Sequence, residues 1–120
     1  MDKVNLAEKF SLFTEHRSPR IVGELNGQHV KLVKIQGPFI WHHHETEDEM
    51  FLVVKGSLIM EFLDKHVTVN EGEFIIVPHG VEHRPNAPEE TYIVLFEPAG
   101  TLNTGNVTDH EYTKNTLEQL

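Results

Sequence analysis

The stretch 37–56, GPFIWHHHETEDEMFLVVKG, joins an extended apolar pattern to a cluster of ionisable side chains. Seven of the eight residues from His42 to Glu49 can carry a charge. Successive side chains of an extended segment point to opposite faces, so His42 and His44 share one side and His43 lies on the other. If the turn that follows reverses the chain, Glu49 returns beside His44. This spacing predicts that two imidazoles and one carboxylate meet.

A second stretch, 72–86, reads GEFIIVPHGVEHRPN and supplies one more histidine. An apolar run ends at Pro78, a turn follows through Gly80, and His83 opens another extended segment. Three imidazole nitrogens and a carboxylate oxygen suit Fe(II), Mn(II), Ni(II), Zn(II) or Cu(II). Four protein ligands leave further positions on such an ion for water or substrate. We therefore predict a divalent transition metal, of unassigned identity, held by His42, His44, Glu49 and His83.

Both stretches resemble the motifs of the cupin superfamily, G-x5-H-x-H-x3–4-E-x6-G and G-x5-P-x-G-x2-H-x3-N. In the first, four residues separate His44 from Glu49 and six separate Glu49 from Gly56. The second is matched in order and spacing by Gly72, Pro78, Gly80 and His83. Only the motif edges differ, because Gly37 and Asn86 each lie one residue closer to the neighbouring histidine than the motifs require. The spacings between the ligands are intact.

The resemblance covers roughly residues 28–97 and is to small single-domain cupins of the cupin 2 type. It implies an all-β fold, the antiparallel double-stranded β-helix or jelly-roll barrel, with the metal bound inside. The remaining pattern agrees, since about eight short β-like runs follow residue 19, separated by turn signals such as Asn26-Gly27. One of these runs is 39–44. Such spacing is typical of a sandwich or closed barrel.

Outside the motifs, the pattern divides the chain into an N-terminal arm (1–18), a barrel domain (19–100) and a polar C-terminal tail (101–120). The arm is predicted to contain one short helix with Asn5 as its N-cap. At helical spacing an apolar stripe forms on one face, and we expect it to pack on the domain. The stripe consists of Leu6, Phe10 and Phe13.

Alternation along the strands also predicts the lining of a pocket around the metal. On the last long strand two faces are candidates, one with Tyr92 and the other with Ile93 and Leu95, and the first is preferred. The complete predicted lining is Ile40, Phe51, Val53, Met60, Phe62, Tyr92, Val94 and Phe96. No Arg or Lys belongs to this set, so the pocket favours a small substrate that is uncharged or singly charged.

The composition excludes several other classes of protein. The 120 residues include 10 Lys or Arg, 19 Asp or Glu and no Cys, with a formal net charge of −9. Without cysteine there is no disulfide, no thiolate metal site and no Cys nucleophile. The negative charge argues against binding nucleic acid or an anionic membrane through a basic face. No apolar run approaches the roughly 20 residues of a membrane span, and we expect a cytoplasmic protein.

Two classes of function remain open at this stage. The first is a metalloenzyme acting on a small organic molecule, with dioxygenase chemistry or with Lewis-acid isomerisation or decarboxylation. In such an enzyme Glu49 could also serve as a catalytic base while loosely ligated. The second is a non-catalytic metal or small-ligand binding module with a regulatory or storage role. Several strands are apolar on both faces, and together with the family resemblance this predicts a homodimer.

Overall fold

Eight β-strands and one short helix form the structure, a computed structural model that describes residues 1–120. Asn26 and Gly27, both with positive φ, make the tight turn between the first two strands. No helix in the protein has the length and apolar character needed to cross a membrane. The elements are α1 (Leu6–Phe10), β1 (Arg20–Leu25), β2 (Gln28–Pro38), β3 (Glu49–Lys55), β4 (Ser57–Phe62), β5 (His66–Asn70), β6 (Phe74–Val77), β7 (His83–Pro98) and β8 (Glu118–Gln119).

Strand β7 is central to the sheet because it pairs with three other strands. It runs antiparallel to β2 along most of its length, to β4 at its start and to β3 towards its end. The hydrogen-bonded order is β5-β4-β7-β2-β1-β8, with β3 joined to β7 and β6 joined to β3. Only the short pairing of β1 with β8 is parallel. The structure confirms the predicted antiparallel β-barrel with a short N-terminal helix.

Two segments differ from the sequence prediction. The run 39–44 is not a strand, since His42 makes only an isolated bridge to His83. Gly37, at a φ of 78°, and Pro38 end β2 just before it, because the glycine turns the chain and the proline has no N–H to donate. Conversely, two extended segments predicted separately form the single long strand β7.

Eleven buried apolar side chains fill the interior of the barrel. Four strands, β2, β3, β4 and β7, contribute alternate residues, as the period of a β-strand requires. On β7 the inward residues are therefore Ile93 and Leu95, and their neighbours face outward. The complete interior cluster is Val33, Ile35, Phe51, Val53, Leu58, Met60, Val69, Val77, Ala87, Ile93 and Leu95.

A second apolar cluster lies on the opposite face of β2 and β7, beneath the N-terminal arm. Its buried members are Phe10, Phe13, Leu32 and Val94. Asn5 caps α1, because its Oδ1 accepts a hydrogen bond of 2.9 Å from the backbone N–H of Glu8. Phe10 then stacks on Tyr92 with ring centroids 4.8 Å apart. The arm thus covers one side of strands whose sequence is apolar on both faces.

The C-terminal tail folds back onto the barrel. Gly105, at a φ of 55°, packs against the loop between β2 and β3, and a side chain there would overlap the carbonyl oxygen of His43. The backbone N–H of Asn106 donates to the same oxygen at 3.0 Å, and its Oδ1 accepts from the N–H of His43 at 2.9 Å. The tail therefore clamps the main chain between two of the predicted metal ligands.

We expect Phe10→Ala to lower the free energy of unfolding by about 3 kcal/mol, because it removes a buried aromatic ring and leaves a cavity. Phe10 is only 2% exposed. Leu12→Ala, in the same segment but 59% exposed, is the matched control and should change stability by less than about 0.5 kcal/mol. Denaturant unfolding measures both. Equal effects of the two substitutions would contradict the packing of the arm.

Candidate metal centre

The four predicted ligands lie together at one place in the barrel. One potential ligand atom from each of His42, His44, Glu49 and His83 lies within 4.8 Å of the other three. All four side chains are buried. They come from the β2–β3 loop, the first residue of β3 and the first residue of β7. The sequence spacing and the three-dimensional arrangement therefore agree.

Main-chain hydrogen bonds hold the two loops of the centre in register. The N–H of His42 donates to the carbonyl oxygen of His83 at 3.0 Å, and the reverse bond is 2.9 Å long. This antiparallel bridge brings the two imidazole rings to a centroid distance of 4.3 Å. The N–H of Gly80 donates to the carbonyl oxygen of His44 at 2.7 Å. Each histidine is thus positioned by backbone contacts as well as by its own packing.

In two of the imidazoles, the Nδ1 atom is held in place by a backbone carbonyl oxygen. Nδ1 of His42 lies 2.9 Å from the carbonyl oxygen of Ile40, and Nδ1 of His83 lies 2.8 Å from that of Val81. A proton on Nδ1 satisfies each of these bonds and leaves Nε2 as a free lone pair directed to the centre. Such outer contacts are the usual means by which proteins orient metal-binding histidines.

Three atoms at the centre are buried without any hydrogen-bond partner, namely Nε2 of His44, Nε2 of His83 and Oε1 of Glu49. Oε1 lies 2.7 Å from Nε2 of His44 and 3.4 Å from Nε2 of His83. Ligand atoms about 2.1 Å from a common ion and at right angles around it lie about 3 Å apart. Buried polar atoms without hydrogen-bond partners destabilise the folded protein. A divalent cation would interact favourably with all three. The donor set therefore fits a transition metal.

Burial keeps the imidazole of His42 neutral. Desolvation, followed by the charge of His83, lowers the pKa of His42 to about 4. The neutral imidazole is the form that binds a metal. Burial alone would raise the pKa of Glu49, but close contacts with Glu97, His44 and His83 hold it well below the usual range. The centre thus presents a neutral imidazole at His42 and an ionised carboxylate at Glu49.

Glu97 and Lys31 form a buried pair next to the centre, and the sequence prediction omitted both. Nζ of Lys31 donates to Oε1 of Glu97 at 2.8 Å, and neither side chain is exposed. Burial and a hydrogen bond to Glu49 raise the pKa of Glu97 well above its ordinary value, although Lys31 opposes the shift. The alternation Ile93, Leu95, Glu97 was the signal that could have placed this carboxyl group inside the barrel.

A cavity opens beside the centre and is small. About 50 Å³ of it is accessible to the centres of water molecules, enough for a few waters or a small organic group. Apolar side chains of β2, β3 and β7 form most of the wall, and Arg17, Phe39 and Asn103 join them from outside the strands. The centre contributes His42 and Glu49 to the same wall.

Most of the predicted lining residues lie elsewhere. Phe51 does line the cavity. Tyr92 and Val94 face the arm, so the preferred face of β7 was the wrong one and Ile93 and Leu95 form the wall. The prediction failed because both faces of this strand are apolar and the arm, not the cavity, covers the first.

The other predicted lining residues do not reach the cavity either. Val53 and Met60 are fully buried in the interior cluster, away from the cavity. Phe62 borders a separate surface groove. Ile40 contributes its carbonyl oxygen to the orientation of His42, and Phe96 pairs across the sheet with residues of β2 and β3 on the outward face of β7.

The remaining histidines of the two motifs point away from the centre. The ring of His43 lies between the carboxylates of Glu82 (2.9 Å) and Glu45 (2.7 Å), and hydrogen bonds to these two groups raise its pKa. His79 donates its backbone N–H to Oδ1 of Asp48, and its Nδ1 lies 2.8 Å from the same oxygen. That contact ties the turn before β3 to the turn after β6.

This barrel with three histidines and a glutamate inside it is the architecture of a cupin, and residues 29–97 match the family model described as Cupin domain. The chain belongs to this family. A cupin-2 domain protein from Shewanella frigidimarina is 46% identical, with a TM-score of 0.78 over 79% of this chain and 93% of that one. Protein NMB1881 from Neisseria meningitidis is 31% identical, with a TM-score of 0.75 over 82% of this chain and 100% of that one. The uncharacterized protein YdbB of Bacillus subtilis is 36% identical over 63% of this chain and 68% of its own length.

Acid should destabilise the metal-free protein between about pH 6.5 and about 4, the ordinary and the folded pKa of His42. In this range the unfolded chain binds a proton on this imidazole that the folded chain does not, so the free energy of unfolding falls as the pH falls. His42→Gln should lose part of this dependence, whereas His66→Gln, at an exposed histidine of β5, should keep it. Urea unfolding of chelator-treated protein at several pH values provides the measurement. Identical pH slopes for wild type and His42→Gln would contradict the prediction.

Proposed function

We propose that this cupin is a metal-dependent enzyme that acts on one small organic molecule bound in the cavity beside His42 and Glu49. The observation that carries the proposal is the set of three buried, unpaired ligand atoms at a centre whose His42 and Glu49 line an open cavity. An ion held by four protein side chains retains coordination positions for a substrate. A binding module with a complete coordination sphere has no need of such a cavity.

The protein supplies three things around the ion. The histidines and Glu49 fix its position, the apolar wall excludes bulk water, and the small volume restricts the size of the substrate. When bound, the ion would act as a Lewis acid on a substrate oxygen or, as iron, would support reaction with dioxygen. Glu49 is the proposed base at moments when its carboxylate is not bound to the ion.

Metal content is the first test of this function. Protein purified without nickel resin should contain about one transition-metal ion per chain, and His83→Gln should contain almost none because it removes one of the four ligands. His43→Gln is the matched control, since its ring points away from the centre, and it should retain the metal. Mass spectrometry of the metal gives the stoichiometry and identity. Metal loss in His43→Gln equal to that in His83→Gln would contradict the ligand set.

The enzyme and the binding module are distinguished by an open coordination position. Protein loaded with Co(II) should change its visible spectrum on addition of azide, because an open or water-filled position accepts the anion. A spectrum that azide leaves unchanged would contradict the enzyme and favour the non-catalytic module. The identity of the native ion then separates the two branches of chemistry, since iron favours reaction with dioxygen and zinc favours Lewis-acid catalysis.

We also propose that the protein is a homodimer that pairs through β6. This strand has a neighbour on one side only, β3, and exposes the apolar side chains of Phe74 (59%) and Ile76 (56%). Free strand edges with apolar side chains are surfaces on which a second sheet can pair.

In sedimentation, wild-type protein should have twice the chain mass of 13.8 kDa. The double variant Phe74→Lys/Ile76→Lys should sediment as a single chain, because lysines on an edge strand oppose pairing. Leu12→Lys, at an equally exposed apolar residue of the arm, should remain dimeric. A wild-type protein that sediments as one chain would overturn the dimer.

A further inference from the structure

We infer that Arg17 binds the carboxylate of a small organic acid whose other end faces the metal centre. The inference rests on the proposed function and names the class of its substrate. Arg17 lines the same cavity as His42 and Glu49. It belongs to the N-terminal arm, outside both cupin motifs, and the sequence pattern gave no indication that the arm reaches the cavity.

Arg17 is the one arginine of the chain without an acidic partner. Arg20 lies 3.2 Å from Glu15, and Arg84 lies 2.6 Å from Glu61. No carboxylate lies within 4.0 Å of the Arg17 guanidinium, and no hydrogen bond of its side chain is present. The five N–H donors of a guanidinium match the two oxygens of a carboxylate in one plane. The cavity thus contains a fixed cation with all of its donors available.

The guanidinium is held by stacking, which leaves those donors free. Its central carbon lies 4.3 Å from the ring centroid of Tyr112. Tyr112 stacks on Phe39 with centroids 5.7 Å apart and an interplanar angle of 15°, and Phe39 meets the ring of His42 edge-on at 5.5 Å. A row of flat side chains therefore runs from the cation to a ligand of the metal centre. Stacking uses the face of a guanidinium and not its edge, where the N–H groups lie.

The backbone conformation of Arg17 also supports a ligand site at this residue. Arg17 has a φ of 60°, a conformation that side chains other than glycine rarely adopt. It is kept there by a hydrogen bond of 2.8 Å from its N–H to the carbonyl oxygen of Lys34 and by the pairing of His16 with Glu90 at 2.7 Å. Backbone strain of this kind persists where the surrounding structure fixes it, and it often accompanies a ligand site.

The tail completes the binding wall next to Arg17. Asn103 lines the cavity, and its Nδ2 donates to the carbonyl oxygen of Tyr112 at 2.8 Å. Its Oδ1 accepts from the backbone N–H of Lys114 at 2.9 Å. These contacts position the aromatic ring on which the guanidinium rests. Both ends of the chain thus contribute to one site, and neither contributes a metal ligand.

The size and charge of the cavity indicate a monocarboxylate. One guanidinium balances one negative charge, and the ionised carboxylate of Glu49 in the same wall opposes a second. The volume of about 50 Å³ accessible to water centres leaves room for a short chain only. A phosphate monoester, with more charge and more volume, fits both conditions less well.

The test uses butyrate as probe and butyramide as its uncharged isostere, with binding followed by NMR titration of 15N-labelled protein. Both metal-free and Zn(II)-loaded protein are titrated. Butyrate should shift the Nε–H resonance of Arg17 and bind at least tenfold more tightly than butyramide. Arg17→Gln should weaken butyrate binding by about tenfold, the usual order for a lost charge-assisted contact, and leave butyramide unchanged. Lys65→Gln, an equal change of charge at an exposed distant residue, should alter neither.

Tyr112→Leu provides a second variant that keeps the charge and removes the stacking support. It should weaken butyrate binding by a smaller factor than Arg17→Gln and leave butyramide unchanged, whereas an arginine that only ties the arm to the tail would leave both probes unaffected in both variants. Butyrate that binds wild type and Arg17→Gln equally well would overturn the inference. Because the metal-free titration tests Arg17 alone, failure of metal binding would contradict the proposed function and not this site.

Discussion

The antiparallel bridge between His42 and His83 is the constraint on which the centre depends. Two main-chain hydrogen bonds join a loop that leaves β2 to the first residue of β7, about forty positions further along the chain. The bridge fixes the Cα positions of two ligands before any side chain is considered. Since β7 also pairs with β2, β3 and β4, the same residue that opens the metal centre opens the strand that organises the barrel. Fold and site therefore share one structural element.

Burial of polar groups at this bridge imposes a second requirement. Imidazoles whose Nδ1 is bonded to a backbone carbonyl tolerate an apolar interior, but Nε2 of His44, Nε2 of His83 and Oε1 of Glu49 remain without hydrogen-bond partners. An apolar interior makes each unpaired atom unfavourable. A divalent cation in their midst would give each of these atoms a partner. These unpaired atoms thus destabilise the metal-free protein, and binding of the ion would be more favourable because it removes that destabilisation.

The ligand set could be predicted from the sequence because it depends on local rules. The spacing of His42 and His44 places both rings on one side of an extended chain, and turns at defined positions return Glu49 and His83 to them. The barrel could be predicted for the same reason, since alternating runs and turn residues recur at regular intervals. Even the N-cap at Asn5 is a local signal, and the structure contains it.

The lining of the cavity could not be predicted, because it depends on which segment covers which face. Alternation on β7 separates Val94 from Ile93 and Leu95 but does not say which face meets the interior when both are apolar. The answer lies in the arm, whose Phe10 packs on the outer face. Contacts of this kind join residues far apart in sequence, and no local sequence pattern predicts them.

Under the proposed function, substrate specificity in this cupin would come from the terminal segments. The motifs of the barrel supply the four side chains able to hold a metal ion, and its strands supply an apolar wall. Arg17, Asn103 and Tyr112 come from the two terminal segments, and they are the residues that give the cavity a cation and an aromatic support. A substrate that differs only at the end remote from the metal would be distinguished by these segments and not by the barrel. Changes in the arm or tail would then, under the proposed function, alter what the cavity binds while the ligands of the centre stay unchanged.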